Sequence, residues 1–137
     1  MIAVDTNVWS ELTRAEPDRN VVAWEAGNMH LLWMPTVALA EFRARAALLP
    51  DGRRRNATAA LIEAIVDRYA DRLLDFDEKA SRWFGVVVAT ARASGKPIST
   101  ADAMIAATAR AHGMSVATRD SNDFAGAGVE LIDPWRA

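Results

Sequence analysis

Ile2-Ala3-Val4-Asp5-Thr6-Asn7 is an apolar run too short for a helix, and it stops at three residues favoured at helix starts. It reads as a buried strand whose carboxyl end passes straight into a helix. The first helix breaks near Pro17, after which Asp18 caps another through about Gly27, with Val21, Val22 and Trp24 as its apolar members. Leu31-Leu32-Trp33-Met34 is a second buried strand, halted by Pro35. Thr36 is placed to cap a helix running to about Leu49, before the turn Pro50-Asp51-Gly52. Leu61, Ile62, Ile65, Val66 and Tyr69 then repeat at helical spacing, ahead of a third strand at residues 73–76. Ala80, Trp83, Phe84, Val87, Val88 and Ala91 mark a helix closed by Gly95. Ser99 or Thr100 opens the next, which stops at His112-Gly113, and residues 115–118 and 129–132 are the last two strands. Strands that alternate with helices predict an α/β fold with a mostly parallel sheet covered on both faces.

The chain of 137 residues, 51% of them hydrophobic, has the size of one domain, and residues 1–137 show no repeat, low-complexity tract or linker. Its net charge of −2 excludes bulk attraction to nucleic acid, so any such contact has to come from local patches. Cysteine is absent, which rules out disulfides, thiolate metal sites and cysteine nucleophiles and suits a reducing cytoplasm. No apolar run approaches membrane-spanning length and no leader pattern precedes Asp5, so a soluble cytoplasmic protein is expected.

Ligands of open parallel sheets bind beyond the carboxyl ends of the strands. Asp5 stands at the end of the first strand and Asp120 just past the fourth, while Glu41 and Asp102 lie in early turns of helices entering from that side. Each acid also has a plainer role: Asp5 or Thr6 as a helix cap, Asp102 in a capping box with Ser99, and Asp120 in a side-chain-stabilised turn with Ser121, Asn122 and Asp123. Glu41 is harder to set aside. Its helical neighbours Val37, Ala44 and Leu48 form an apolar stripe in which a carboxylate needs a partner, and Arg45 stands close enough to reach back. Asp102 shares a weaker line with Ile105, Ala106 and Ala109.

Two carboxylates about 4 Å apart repel by roughly 4 kcal/mol at an effective dielectric near 20. A cluster of four would protonate in part or hold a cation, and oxygen-only ligands favour Mg²⁺ or Mn²⁺. Such an ion activates water and offsets charge on a phosphate under attack, which points to phosphodiester hydrolysis. Other chemistries fare worse. His30 and His112 sit in no ligand pair or triad, there is no glycine-rich phosphate loop, and Asn7 stands where a phosphoaspartate enzyme carries a second Asp.

With Asp5-Thr6-Asn7 after the first strand, Glu41 early in a helix, Asp102 within residues 99–109, Thr118-Arg119-Asp120 after the fourth strand and Asp133-Pro134-Trp135 near the end, the sequence resembles PIN-domain proteins. Within them it is most similar to VapC toxins and their FitB-like relatives, over essentially the whole chain. The resemblance implies a three-layer α/β/α sandwich and a Mg²⁺-dependent ribonuclease acting on RNA as the toxin of a toxin–antitoxin pair. It also implies a homodimer, a VapB-like antitoxin that masks the acidic pocket, further assembly with that partner, and DNA contact only through it. Asp5, Glu41, Asp102 and Asp120 match the acidic quartet, and Asp123 matches a fifth, variable position. Thr6 and Thr118 match hydroxyls that orient the carboxylates or a bound water, with Asn7 beside them.

Arg53-Arg54-Arg55 is the densest basic run, and Arg43 and Arg45 project from the helix of Glu41. These are candidates for RNA phosphates, or simply a solvated turn and helix face. Trp24, Trp33 and Trp83 fall on core stripes. A FitB-like, non-catalytic role as half of an antitoxin-dependent DNA-binding complex stands as the alternative to catalysis.

Overall fold

A computed structural model describes residues 1–137. Its strands are β1 (Ile2–Val4), β2 (Leu32–Pro35), β3 (Leu73–Leu74), β4 (Ser115–Ala117) and β5 (Leu131–Ile132), all parallel and ordered β3-β2-β1-β4-β5. Six α-helices flank them: α1 (Thr6–Glu11), α2 (Arg19–Asn28), α3 (Thr36–Ala47), α4 (Arg53–Arg68), α5 (Glu78–Ala93) and α6 (Thr100–Ala111). The result is the expected α/β/α sandwich. Every residue of β1 is buried, as a central strand covered on both faces requires. One core cluster joins β1, β2 and β4 to α1, α3 and α6.

The strand order carries a functional consequence. From β1 the chain moves outward through β2 and β3, then returns to place β4 against the other edge of β1. The order therefore reverses between β1 and β4, the position at which open α/β sheets hold their ligands. Asp5 and Thr118 are the residues immediately beyond those two strands.

Several local expectations change. Strands β3 and β5 are shorter than their apolar runs, and Thr36 is not a cap: Pro35 occupies that position, while the Thr36 hydroxyl donates to the Leu74 carbonyl across to β3 (3.3 Å). Helix α6 is buried nearly all round, because Ala103, Ala106, Ala107 and Ala109 let it settle closely among α3, α5 and the sheet. The apolar stripe expected around Glu41 is also displaced. The face of α3 that enters the core is Ala38, Leu39, Phe42 and Ala46, whereas Ala44 is exposed and Leu48 is 85% exposed. Glu41 thus sits half-buried at the margin of the core, and its partner is not Arg45, which donates to Ser10 Oγ (3.3 Å).

Candidate metal-dependent nuclease site

Asp5 is held from both sides of the reversal point. It caps α1, with Oδ1 accepting from the Thr6 N–H (2.7 Å), while Oδ2 accepts from the Thr118 hydroxyl beyond β4 (2.8 Å). Thr118 Oγ also accepts from Asn7 Nδ2 (3.2 Å) and from the Asp120 N–H (3.1 Å), so its own hydrogen is committed to Asp5. The Asn7 amide spans the gap: Nδ2 donates to Asp120 Oδ2 (3.0 Å), and Oδ1 accepts from the Arg119 N–H (3.3 Å). Glu41 joins from α3 by accepting from the Thr6 hydroxyl (2.8 Å). Ser99 caps α6 and accepts from the Asp102 N–H (3.2 Å), which places Asp102 in the first turn. The plain capping roles of Asp5 and Ser99 hold, and hydrogen bonds through Thr6, Asn7 and Thr118 also tie Asp5, Glu41 and Asp120 into one network, which Asp102 meets only electrostatically.

Burial pushes the Asp5 carboxyl up from an ordinary 3.8 to about 6; the Thr118 and Thr6 hydrogen bonds oppose this, and the charges of Asp102 and Glu41 add to it. Burial also raises Asp102, against its Ser99 bond, with further upward pressure from Asp123, Glu41 and Asp120. Asp5 thus feels the charges of Asp102 and Glu41, and Asp102 those of Asp123, Glu41 and Asp120. None of them forms an ion pair. The buried acids outside this group are different, since Glu11 pairs with Arg14 (3.2 Å) and Glu25 accepts from the Tyr69 hydroxyl (2.6 Å) beside Arg68 (3.5 Å).

Oxygen donors that repel one another without a cation suit a hard divalent ion. No three acidic side chains lie close enough to enclose an ion by themselves. An ion held there would therefore take only one or two carboxylates directly and keep several waters, as Mg²⁺ does elsewhere.

The basic residues are distributed otherwise than expected. Arg43 pairs with Glu63 (2.9 Å), Arg55 with Asp51, and Arg54 borders a separate cleft of about 800 Å³ between α1, α3 and α4. Arg53 is exposed at the start of α4. None of these arginines, nor Arg45, pairs with the acidic group. Trp24 is buried as expected, and Trp33 and Trp83 are half-buried against the core.

Residues 2–129 match the PIN domain. The chain belongs to the PIN-domain family. Among PIN proteins it is 46% identical to the VapC ribonuclease Y4jK of Sinorhizobium fredii, covering 98% of each chain. It is 38% identical to toxin FitB of Neisseria gonorrhoeae, covering 98% of this chain and 99% of that one. A chain in the structure of FitAB bound to an IR36 DNA fragment superimposes with a TM-score of 0.92 at 39% identity, covering 98% of this chain and 96% of that chain.

The raised Asp5 is expected to make the metal-free fold sensitive to pH. Protonation binds more tightly to the folded than to the unfolded state, so its stabilisation is complete below about pH 4 and fades as pH rises through about 6. The full displacement corresponds to about 3 kcal/mol. Denaturation in EDTA should therefore give a stability more than about 1 kcal/mol higher at pH 5 than at pH 8. Asp5→Asn should flatten that difference; an equal slope in the variant would assign the effect to other groups.

Proposed function

We propose that this PIN-domain chain is the toxin of a VapBC-type pair and a Mg²⁺-dependent endoribonuclease. The observation that supports it is the group of acids around the β1/β4 reversal, in which Glu41, Asp120 and Asp123 press on Asp5 or Asp102 and none pairs with a cation, in a chain 46% identical to a VapC ribonuclease. Of Asp5, Glu41, Asp102, Asp120 and Asp123, one or two would hold Mg²⁺ or Mn²⁺ directly and the others through its bound waters. The ion would supply an activated water and an offset for charge developing on the phosphate.

The chain's own residues do the rest. Thr118 and Thr6 orient two of the carboxylates and keep their lone pairs directed, and the Asn7 clamp holds Asp120 in register with Asp5. Fixing these groups before substrate arrives removes reorganisation from the reaction.

The partner reading rests on the relatives. A VapB-like antitoxin would cover the acidic pocket, and DNA would be reached only through it, in keeping with the FitAB–DNA structure. Exposed Val86 on α5 and Leu61 on α4 are consistent with further apolar contacts, including those of a homodimer. The same DNA-bound relative supports the second reading, a non-catalytic half of an operator-binding complex.

Purified protein incubated with single-stranded RNA separates the two. Cleavage should require Mg²⁺ and cease in excess EDTA. Cleavage that persists in EDTA removes the carboxylate–metal mechanism, and no cleavage with Mg²⁺, together with operator binding once the antitoxin is added, favours the second reading.

A further inference from the structure

Beside the acidic group, past the ends of β4 and β5, lies a polar cavity of about 400 Å³ bordered by Arg119, Asp120, Asp123, Asp133 and Arg136. Arg119 is exposed, yet its guanidinium pairs with none of these acids. It lies instead over the Trp135 ring, 5.2 Å from the centroid, and makes no side-chain hydrogen bond. Both members are fixed through their backbones. The Arg119 N–H donates to Asn7 Oδ1 (3.3 Å), the Trp135 N–H donates to Asp133 Oδ1 (3.0 Å), and the Trp135 carbonyl accepts from Asn20 Nδ2 (2.8 Å). A planar cation with free donors, held over an aromatic ring, is thus the residue next to Asp120.

An exposed guanidinium plane is a surface on which an unpaired base stacks, and its edge donors match phosphate oxygens. The cavity rim fits the same ligand, because Arg136 is 87% exposed and only loosely engaged with Asp133 (3.6 Å). The two arginines offset two of the three aspartate charges that would otherwise repel a nucleotide there. Arg43, Arg45, Arg53, Arg54 and Arg55 offer nothing equivalent, being paired with acids or placed outside the acidic group.

We infer that Arg119 and Trp135 form a stacking platform for one unpaired base of the RNA next to the cleaved bond, with Arg136 holding that nucleotide's phosphate. The platform rests on the ribonuclease reading above. It adds a subsite that selects single-stranded RNA and sets which nucleotide lies against Asp120.

The test uses an RNA oligonucleotide cut by the wild-type protein with Mg²⁺, made also with an abasic residue at each position in turn. Arg119→Ala and Trp135→Ala should raise KM for the intact RNA about tenfold or more, with the loss in KM rather than kcat. Arg119→Lys keeps the charge and lacks the plane, so it should lose affinity with an unchanged salt slope, whereas Arg136→Ala should lower the slope by about 0.7. At one position the abasic residue should impose a similar penalty on the wild type and none on Trp135→Ala, a non-additivity that a merely misfolded variant does not produce. Additive penalties at every position would overturn the platform, as would variants that keep wild-type KM while losing antitoxin affinity. Failure of the wild type to cut any RNA would instead sink the ribonuclease reading, and the platform with it.

Discussion

Asp5→Asn is expected to lower kcat/KM for RNA cleavage by about 10³-fold. Asp5 is the most enclosed of the five acids, and its charge is kept available only by the Thr118 and Thr6 hydrogen bonds. Loss of one such ligand removes several kcal/mol of charge stabilisation, and about 4 kcal/mol corresponds to a factor near 10³. The carboxamide introduces a second problem. Its NH₂ would face a Thr118 oxygen that already accepts from Asn7 and Asp120, so one donor is left without a partner. The variant should also lose the rise in melting temperature that Mg²⁺ gives the wild type, which is about 2.7 kcal/mol of stabilisation at a hundredfold excess over Kd. Asn7→Ala, which loosens the Asp120 clamp and leaves every proposed ligand in place, should cost only about 10- to 100-fold. An Asp5→Asn protein that folds and still cuts RNA within tenfold of wild type would exclude Asp5 from the chemistry.

Why so much of this was legible follows from what sequence encodes locally. Buried parallel strands are continuous apolar runs, so Ile2–Val4 announces itself and the run at residues 31–34 lies one residue out of step with the strand Leu32–Pro35, which takes in Pro35; Asp18 and Ser99 cap helices where their short polar side chains say they should. The positions of Asp5 and Asp120 after strands were likewise readable. Glu41 is a different case, because its apolar neighbours in the sequence mislead. The stripe Val37, Ala44 and Leu48 is not the core face of α3, and Glu41 matters because the Thr6 hydroxyl meets it, a contact 35 residues distant in the chain.

Long-range partners were the invisible part. Nothing local in Arg43, Arg45 or Arg55 says that Glu63, Ser10 and Asp51 will occupy them. The reversal of strand order between β1 and β4 is likewise a property of topology, which a linear pattern of elements leaves open. The same holds for the separation of buried acids into two kinds. Glu11 and Glu25 are as enclosed as Asp5, and only the fold reveals that Arg14 and Arg68 neutralise them while the site acids have no cation. That contrast, rather than acidity alone, separates the proposed ion site from acids that merely hold helices together.

Trp9, absent from the core expected from sequence, carries the largest stability prediction. Its side chain is fully buried, its indole N–H donates to the Val4 carbonyl (3.0 Å), and its ring meets Tyr69 edge-on at 4.9 Å. Burial, reinforced by Glu25, pushes the Tyr69 phenol well above its usual range, so the hydroxyl stays a donor to Glu25. The chain of contacts runs from α2 and the end of α4 through Trp9 to the last residue of β1, one position before Asp5. Trp9→Ala should therefore cost about 3–5 kcal/mol, a large share of the roughly 5–15 kcal/mol that holds a typical domain folded. Trp9→Phe keeps most of the ring but leaves the Val4 carbonyl without this donor, for about 1–3 kcal/mol. Because that carbonyl belongs to the residue preceding Asp5, the Phe variant should also lower kcat in conditions where it remains fully folded, a displacement near 1 Å being enough for a 10²-fold loss. Urea unfolding in EDTA measures the first effect, and cleavage at low temperature measures the second. A Trp9→Ala midpoint equivalent to less than about 1 kcal/mol would mean that the surrounding helices collapse into the space, a cost far below that of typical large-to-small core changes.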